Sequence, residues 1–487
     1  MLHTIKSMKN KLLANLLKPE NQMFFVLIII QLIIQIYFYN RTISQIGINE
    51  HGLLGFTTEY HYENVAFNYF AYNQFASGEY PNITTSTYRA PLWPFILSSA
   101  YKIFGYDMKI GLIINNIFLF ICSIILFLIG KKISRYSGIL CVIIFFLDPI
   151  LIERANSNQS EISYLFLITI CIYFLFLSFI DTFKIKYFII FSVFFALSTF
   201  TRPVTLYATY AFAAVSICYY LFKGLKNKTL LYAIIIFIAI NIIPIEIWKM
   251  RNASISGNND FVGMKTVHVF NFLAPRALAT TLGVDDQIAS DLMHDRFIIN
   301  NKHYEALQNE TERNKYKQNV ATKVLIENIP GFTKHYFKQV PRLFLSFPIK
   351  VPALLYSEED KRKIYKILKT RTLNIKGKLI KLIDLFNNGF IFYLFYAISI
   401  KIFYLLNAFL SLIGLPFMFL KSKNLYQKIN AIILIAIYAN GVLITCLWSA
   451  ARYRVHFMTI MAIGSVFALL NIYKLFQQHY RKPVQIH

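Results

Sequence analysis

Ten apolar blocks constrain this chain more than any other feature. Met23–Tyr39, Ile110–Gly130, Ile139–Leu151, Ile162–Ile180, Tyr187–Phe200, Tyr207–Phe222, Leu230–Trp248, Ile402–Leu420, Ile429–Trp448 and Phe457–Ile472 carry few or no charges. About 20 such residues cross a bilayer core as a helix, and shorter blocks suit tilted or buried spans. Of all 487 residues, 56% are apolar and 15% charged, where soluble domains run nearer a quarter charged. A soluble enzyme, a disordered tail and a secreted disulfide scaffold are excluded. The expected fold class is an all-α polytopic membrane protein, a bundle of about 10–12 transmembrane helices.

Fifty Lys and Arg against 24 Asp and Glu give a net charge of +26. In a soluble protein this would suggest nucleic acid; here the positives lie between apolar blocks and set topology, so no nucleic-acid partner is expected. Lys6, Lys9, Lys11 and Lys18 precede the first block, Lys131, Lys132 and Arg135 follow the second, and Lys184 and Lys186 follow the fourth. Lys223, Lys226 and Lys228 follow the sixth, Lys421, Lys423 and Lys428 the eighth, and Arg481 and Lys482 close the chain. Every second junction is basic, which places both termini in the cytoplasm. Trp93, Trp248 and Trp448 then fall at outer ends, where aromatic belts form. The first block lacks a small-residue cleavage site and reads as an anchor. Cys122, Cys141, Cys171, Cys218 and Cys446 are scattered through apolar spans and read as small core residues.

This topology leaves two long outer segments, about 40–107 and 251–388, dividing the chain into an N-terminal membrane module (1–250), an outer segment (251–388) and C-terminal membrane helices (389–487). In the first segment, Tyr62–Phe75 has helical apolar spacing and suits an interfacial amphipathic helix stopped by Gly78. Pro91-Leu92-Trp93-Pro94 opens a second short helix that ends at Gly105. The second segment holds a polar part (Asn258–Val320), an amphipathic stretch (Ala321–Phe347) and a basic run (Lys361–Lys381). We place that run outside, since long loops escape the charge rule. The rival adds spans at Val340–Tyr356 and Phe386–Ile400, but three prolines and two charges spoil the former.

Charges at span ends need a reason, because one at mid-membrane costs roughly 2.5–3.5 kcal/mol on insertion scales. Arg89 stands before Pro91, Glu161 opens the fourth block, Arg202 sits between the fifth and sixth, and Lys249 and Arg251 follow Trp248. Arg452 and Arg454 lie between the last two blocks. Each alone reads as a snorkelling interfacial residue. As a set, basic sites on one face with Glu59, Glu63 and Glu161 suit an anionic lipid phosphate, with Arg for its oxygens and carboxylates for proton transfer.

These residues also resemble a known family. The run TEYHYENVAFNYFAYNQFASGEYP followed by YRAPLWPFILSSAYKIFG resembles the first external loop of bacterial GT-C membrane glycosyltransferases, the group of protein mannosyltransferases and the lipid A aminoarabinose transferase. There an acidic residue precedes a Tyr–Ala–Gly spaced helix, a basic residue precedes a Pro pair, and Phe-Gly follows. Ser160-Glu161, Leu197–Pro203, Ile243–Asn252, Asn328–Arg342 and Arg452–Phe457 match in the family's order. The resemblance implies a GT-C bundle with interfacial helices in its first outer loop, in the bacterial cytoplasmic membrane with an outward-facing active site. It also implies an inverting transferase that moves a sugar from a polyprenyl-phosphate donor to a lipid, polysaccharide or protein acceptor.

Carried over by residue, the catalytic acid corresponds to Glu63, or to Glu59 in a shifted register; relatives commonly have Asp there. Arg89, beside Tyr88, matches the basic residue that holds the lipid phosphate, and Lys249 or Arg251 match a second phosphate contact. Glu161, Arg202, Arg452 and Arg454 match recurring polar positions, the arginines being structural or phosphate-facing. Some relatives use a divalent metal near this acid, and Glu59, His61 and Glu63 are the nearest candidates here; no cofactor is otherwise implied. An O-antigen-type polymerase and a polyprenyl-linked sugar flippase remain alternatives. The first lacks the YRAPLWP block, and the second calls for charges deep in several spans and helices broken at mid-membrane. With the chain stopping at His487 soon after its last span, acceptor choice is expected to rest on the two outer segments.

Overall fold

The computed structural model describes residues 17–45, 60–222, 228–345 (apart from 258, 264, 265, 267, 300, 308 and 309), 390–445 and 451–480, together with 360, 363, 383, 384 and 387. In chain order the helices are α1 Pro19–Gln45, α2 Tyr60–Tyr72, α3 Leu92–Phe104, α4 Lys109–Lys131, α5 Ser137–Phe146, α6 Pro149–Ala155, α7 Glu161–Ser178, α8 Ile185–Thr201, α9 Leu206–Phe222 and α10 Lys228–Phe237. They continue with α11 Ile243–Ser256, α12 Ala274–Leu282, α13 Asp286–His294, α14 Lys302–Glu305, α15 Glu310–Glu327, α16 Ile329–Leu345, α17 Ile391–Leu420, α18 Leu425–Thr445 and α19 Met458–Tyr480. Between α2 and α3 two-residue strands, β1 Ala76–Ser77 and β2 Thr84–Thr85, pair antiparallel.

Eight helices among the described residues are long and apolar enough to cross a membrane, and Ser137–Phe146 and Ile185–Thr201 are shorter apolar ones. Together they fall on the ten apolar blocks. Of the rival pair of extra spans, residues 391–400 of the second belong to one 30-residue helix shared with the eighth block, Ile391–Leu420, and most of the first lies outside the described residues.

The span ends can be assigned from their contacts. Arg135 pairs with Glu20 at 3.0 Å, and Lys131 donates to Asn21 at 2.9 Å. These contacts join the start of α1 to the end of α4, so the two lysine-rich ends share one face of the bundle. The 23 residues of α4 are about 35 Å long, which sets Lys109 at the opposite face with α2 and α3. Where α4 turns into α5 the backbones nearly touch, and a Cβ on Gly130 would stand 2.6 Å from the Gly138 Cα. Such contact needs small residues.

Two loop-one expectations change. The first helix ends at Tyr72, not at Gly78, because Asn73 takes the left-handed conformation with φ 55°. Gly78, at φ 102°, belongs to the hairpin, where Asn64 both accepts from its N–H (2.8 Å) and donates to its carbonyl (3.0 Å). Trp93 is no belt residue: it is fully buried, and its indole donates to Asn158 O at 3.2 Å. Trp448 lies outside the described residues.

Candidate active site

The site grows from a short non-helical stretch between α6 and α7. Asn156 through Ser160 are buried, so their backbone groups need partners inside the protein. Asn115 on α4 donates to Ser157 O at 2.8 Å and Gln159 O at 3.1 Å, and Asn116 reaches Ala155 O at 3.3 Å. The stretch is thereby fixed against α4, and the Asn158 amide points at loop one. It donates to Met108 O at 2.9 Å and to Glu63 Oε2 at 3.2 Å.

Glu63 is in the first turn of α2 and is 6% exposed. Its Oε1 has no hydrogen-bond partner, and among the described residues no cation pairs with it. Burial pushes its carboxyl up to about 7; the Asn158 hydrogen bond opposes this and the negative charge of Asp107 adds to it. Burial also raises the Tyr101 hydroxyl, and it pushes Tyr106 up to about 12, with Glu63 the next cause for both.

Arg89 and Arg202 lie about Tyr62, the residue before this acid. The Arg89 guanidinium lies over the ring of Tyr62, the residue before Glu63, at 4.7 Å, and over Tyr88 at 5.2 Å. Arg202 pairs with the buried Glu161 at 3.0 Å and donates to Ser160 Oγ at 3.2 Å. Arg452 stacks on Tyr453 at 4.9 Å, and Arg202 approaches the same ring at 6.0 Å. A turn of 3-10 helix, Ala451–Phe457, carries Arg452, Tyr453 and Arg454 into the bundle.

Three sequence candidates are engaged elsewhere. Arg251 donates to Ser86 O at 2.7 Å and lies over Trp248 at 4.7 Å, so it props loop one just before Tyr88. Lys249 pairs with Glu246 at 3.0 Å, one turn away on α11. Arg454 is fully buried, pairs with Asp148 at 3.1 Å, and donates to Leu343 O and Phe344 O at the end of α16 at 3.2 and 3.1 Å. Its guanidinium stacks on Tyr404 at 3.6 Å, and the Tyr404 hydroxyl donates to Asp148. Of its two sequence roles, this placement suits the structural one. Glu59 lies outside the described residues, and among those described no three His, Cys, Asp or Glu side chains cluster as a metal site.

Asn158, Trp93, Asn115 and Asp148 were missed in sequence. The available signals were the five-residue polar run at a span start and an Asp-Pro pair, where Asp148 caps α6 by accepting from Ile150 N–H.

No protein-family model and no curated protein matches the chain. Among solved structures, the chain is similar to ArnT from Cupriavidus metallidurans bound to undecaprenyl phosphate, with 9% identity and a TM-score of 0.36 over 93% of this chain and 80% of that one. It is also similar to the archaeal oligosaccharyltransferase AglB from Archaeoglobus fulgidus in complex with an inhibitory peptide and a dolichol-phosphate, with 13% identity and a TM-score of 0.38. That match covers 94% of this chain and 51% of AglB.

Proposed function

We propose that this protein is an inverting glycosyltransferase that moves a sugar from a polyprenyl-phosphate donor to an acceptor at the face carrying Glu63. The observation that carries the reading is the Glu63 carboxylate: buried, oriented by Asn158, with one oxygen unengaged and a pKa raised to about 7. A base working near neutral pH needs these properties. In the step, the acceptor hydroxyl oxygen attacks the anomeric carbon as its proton passes to Glu63. The anomeric C–O bond breaks, and its electron pair leaves with the lipid phosphate. Arg89, Arg202 and Arg452 supply positive charge where the departing phosphate gathers negative charge. Glu161 holds Arg202 in place, Tyr88 flanks Arg89, and Arg251 keeps the loop between them folded. Lys249 stands apart on α11 and serves the lipid headgroup region. By the basic residues of the opposite face, that face is cytoplasmic and the site faces outward across the cytoplasmic membrane.

One observation favours the flippase alternative: Asp148 and Arg454 are charged, buried and placed where the α5–α6 span is broken. The pair is held inside the protein by Ile150, Leu343, Phe344 and Tyr404, so the transferase reading stands ahead. The test is purified protein with a panel of radiolabelled polyprenyl-phosphate sugars and membrane acceptors, following release of polyprenyl phosphate. Turnover with one sugar, lost in Glu63→Gln and Arg89→Ala, is the expected result. Lipid-linked sugar that crosses vesicle membranes without being cleaved would move the assignment to a flippase.

A further inference from the structure

We infer that the acceptor is a saccharide, held by a ladder of aromatic rings that runs from Glu63 to the surface of loop one; this rests on the transferase reading. The ladder starts at Tyr106, within electrostatic reach of Glu63. The Tyr106 ring stands edge-on to Tyr101 at 5.1 Å and to Phe67 at 4.8 Å. Phe67 meets Tyr72 at 6.3 Å, and Tyr72 stacks on Tyr80 at 5.1 Å with their planes 21° apart. The buried part of the ladder lies within electrostatic reach of the acid, and the rest is open: Tyr72 is 37% exposed, Tyr106 44% and Tyr80 68%.

The surroundings of the open rings decide the ligand's chemistry. Asn73, Gln74, Glu79 and Asn82 are all exposed beside Tyr72 and Tyr80. A surface seated in hydrocarbon would leave these amides and this carboxylate without partners, and Glu79 would repel anionic headgroups. A pyranose matches both parts of the surface. Its axial C–H face packs on an aromatic ring, whose face is electron-rich, and its equatorial hydroxyls accept hydrogen bonds from the surrounding amides and donate to the carboxylate. The rings themselves are held in place. Tyr80 is two residues beyond Gly78, whose backbone Asn64 grips at both polar groups. Across the loop, Lys102 donates to Asn73 Oδ1 at 3.3 Å, next to Tyr72. A platform fixed in this way binds without the cost of ordering it. A sugar on it can place a hydroxyl at the Tyr106 end of the ladder, where Glu63 takes the proton.

The experiment uses the full chain in lipid nanodiscs without donor. Saturation-transfer NMR reads binding of soluble maltotetraose, chitotetraose and mannotetraose. At least one is expected to bind, with affinity at least tenfold weaker in Tyr72→Ala and Tyr80→Ala and retained in Tyr80→Phe, which keeps the ring. Tyr80 is exposed enough that its truncation leaves the fold intact. Binding that is absent, or unchanged in both alanine variants, overturns the inference, as does a requirement for the polyprenyl-linked form of the sugar. Tyr80→Trp tests the membrane alternative: quenching of its added fluorescence by phospholipids brominated in their acyl chains would place the ring in the bilayer and overturn the saccharide site. Turnover in wild type together with absent oligosaccharide binding removes this inference alone. Oligosaccharide binding at Tyr72 and Tyr80 without turnover of any polyprenyl-phosphate sugar removes the transferase reading instead.

Discussion

At the scale of single residues, the same desolvation that suits Glu63 to the proposed role of base also costs stability. The folded carboxyl has a pKa near 7 against an ordinary 4.5, so between those values the folded state holds a proton that the unfolded chain releases. The stabilisation is complete below about pH 4.5 and is lost as pH rises through about 7. Turnover moves the other way, because only the deprotonated carboxylate accepts the acceptor's proton. Rate against pH should therefore rise through one ionisation near pH 7, and Glu63→Gln should abolish turnover while flattening the change in melting temperature between pH 5 and 8. A wild-type rate that stays constant over that range would remove Glu63 from the role of base. Asp148 and Arg454 offer a contrasting case, a buried ion pair with further hydrogen bonds from and to the surrounding chain. Arg454→Met leaves the buried Asp148 carboxylate without its cation and should cost about 3–5 kcal/mol. Adding Asp148→Asn, which keeps an acceptor for the Ile150 N–H, should recover most of that loss in a detergent melt. The charge pattern marked Arg454 as a candidate but gave no sign of its partner, because Asp148 is 306 residues away.

Elements were legible where one physical rule governs them. Apolar runs bounded by charges can only be helices in a bilayer, and each of the ten blocks falls on observed helix. The ends differ more: α17 starts at Ile391, well before its block, α11 runs on to Ser256, and the third block is broken between α5 and α6. The α3 start after Pro91 and its end at Gly105, with φ 83°, follow from proline's fixed φ and glycine's freedom. Legibility failed where a side chain's neighbours come from far along the chain. Trp93 looked interfacial because the charge-derived topology put it at an outer end, yet α4 and the 156–160 stretch cover it. The same close packing gives a test on α4. A Cβ on Gly111 would collide with the Asn158 side chain and stand 3.1 Å from Leu97 Cδ2. Gly111→Ala should displace the Asn158 amide from Glu63, lower turnover at least tenfold, and cost about 1–3 kcal/mol as overpacking. Unchanged turnover at a lowered melting temperature would mean that Asn158 does not orient the acid.

The whole molecule adds sidedness and separation. The joined basic ends of α1 and α4 and the Glu63 site lie at opposite faces, about a bilayer apart, and in the proposed topology the charge at each end orients them. Single cysteines introduced into a cysteine-free background provide the check. Asn82→Cys in intact cells should react with a membrane-impermeant maleimide, and Lys132→Cys should react only after the membrane is opened. The opposite pattern would turn the site toward the cytoplasm and reverse the topology derived from charge.

By itself the sequence determined the solvent of this protein, the approximate course of its helices, and a short set of charged candidates. Those follow from hydropathy and charge, which act locally and are additive along the chain. Only the tertiary structure decided which candidates act together. Glu63 gains the environment of the proposed base because Asn158, 95 residues away, orients it and packing removes its water. Arg202 and Arg452 meet around one tyrosine, whereas Arg454, two residues from Arg452, is taken up by a carboxylate and two helix-terminal carbonyls. Desolvation and pairing are properties of a site's whole surroundings, and those surroundings exist only once distant segments have packed.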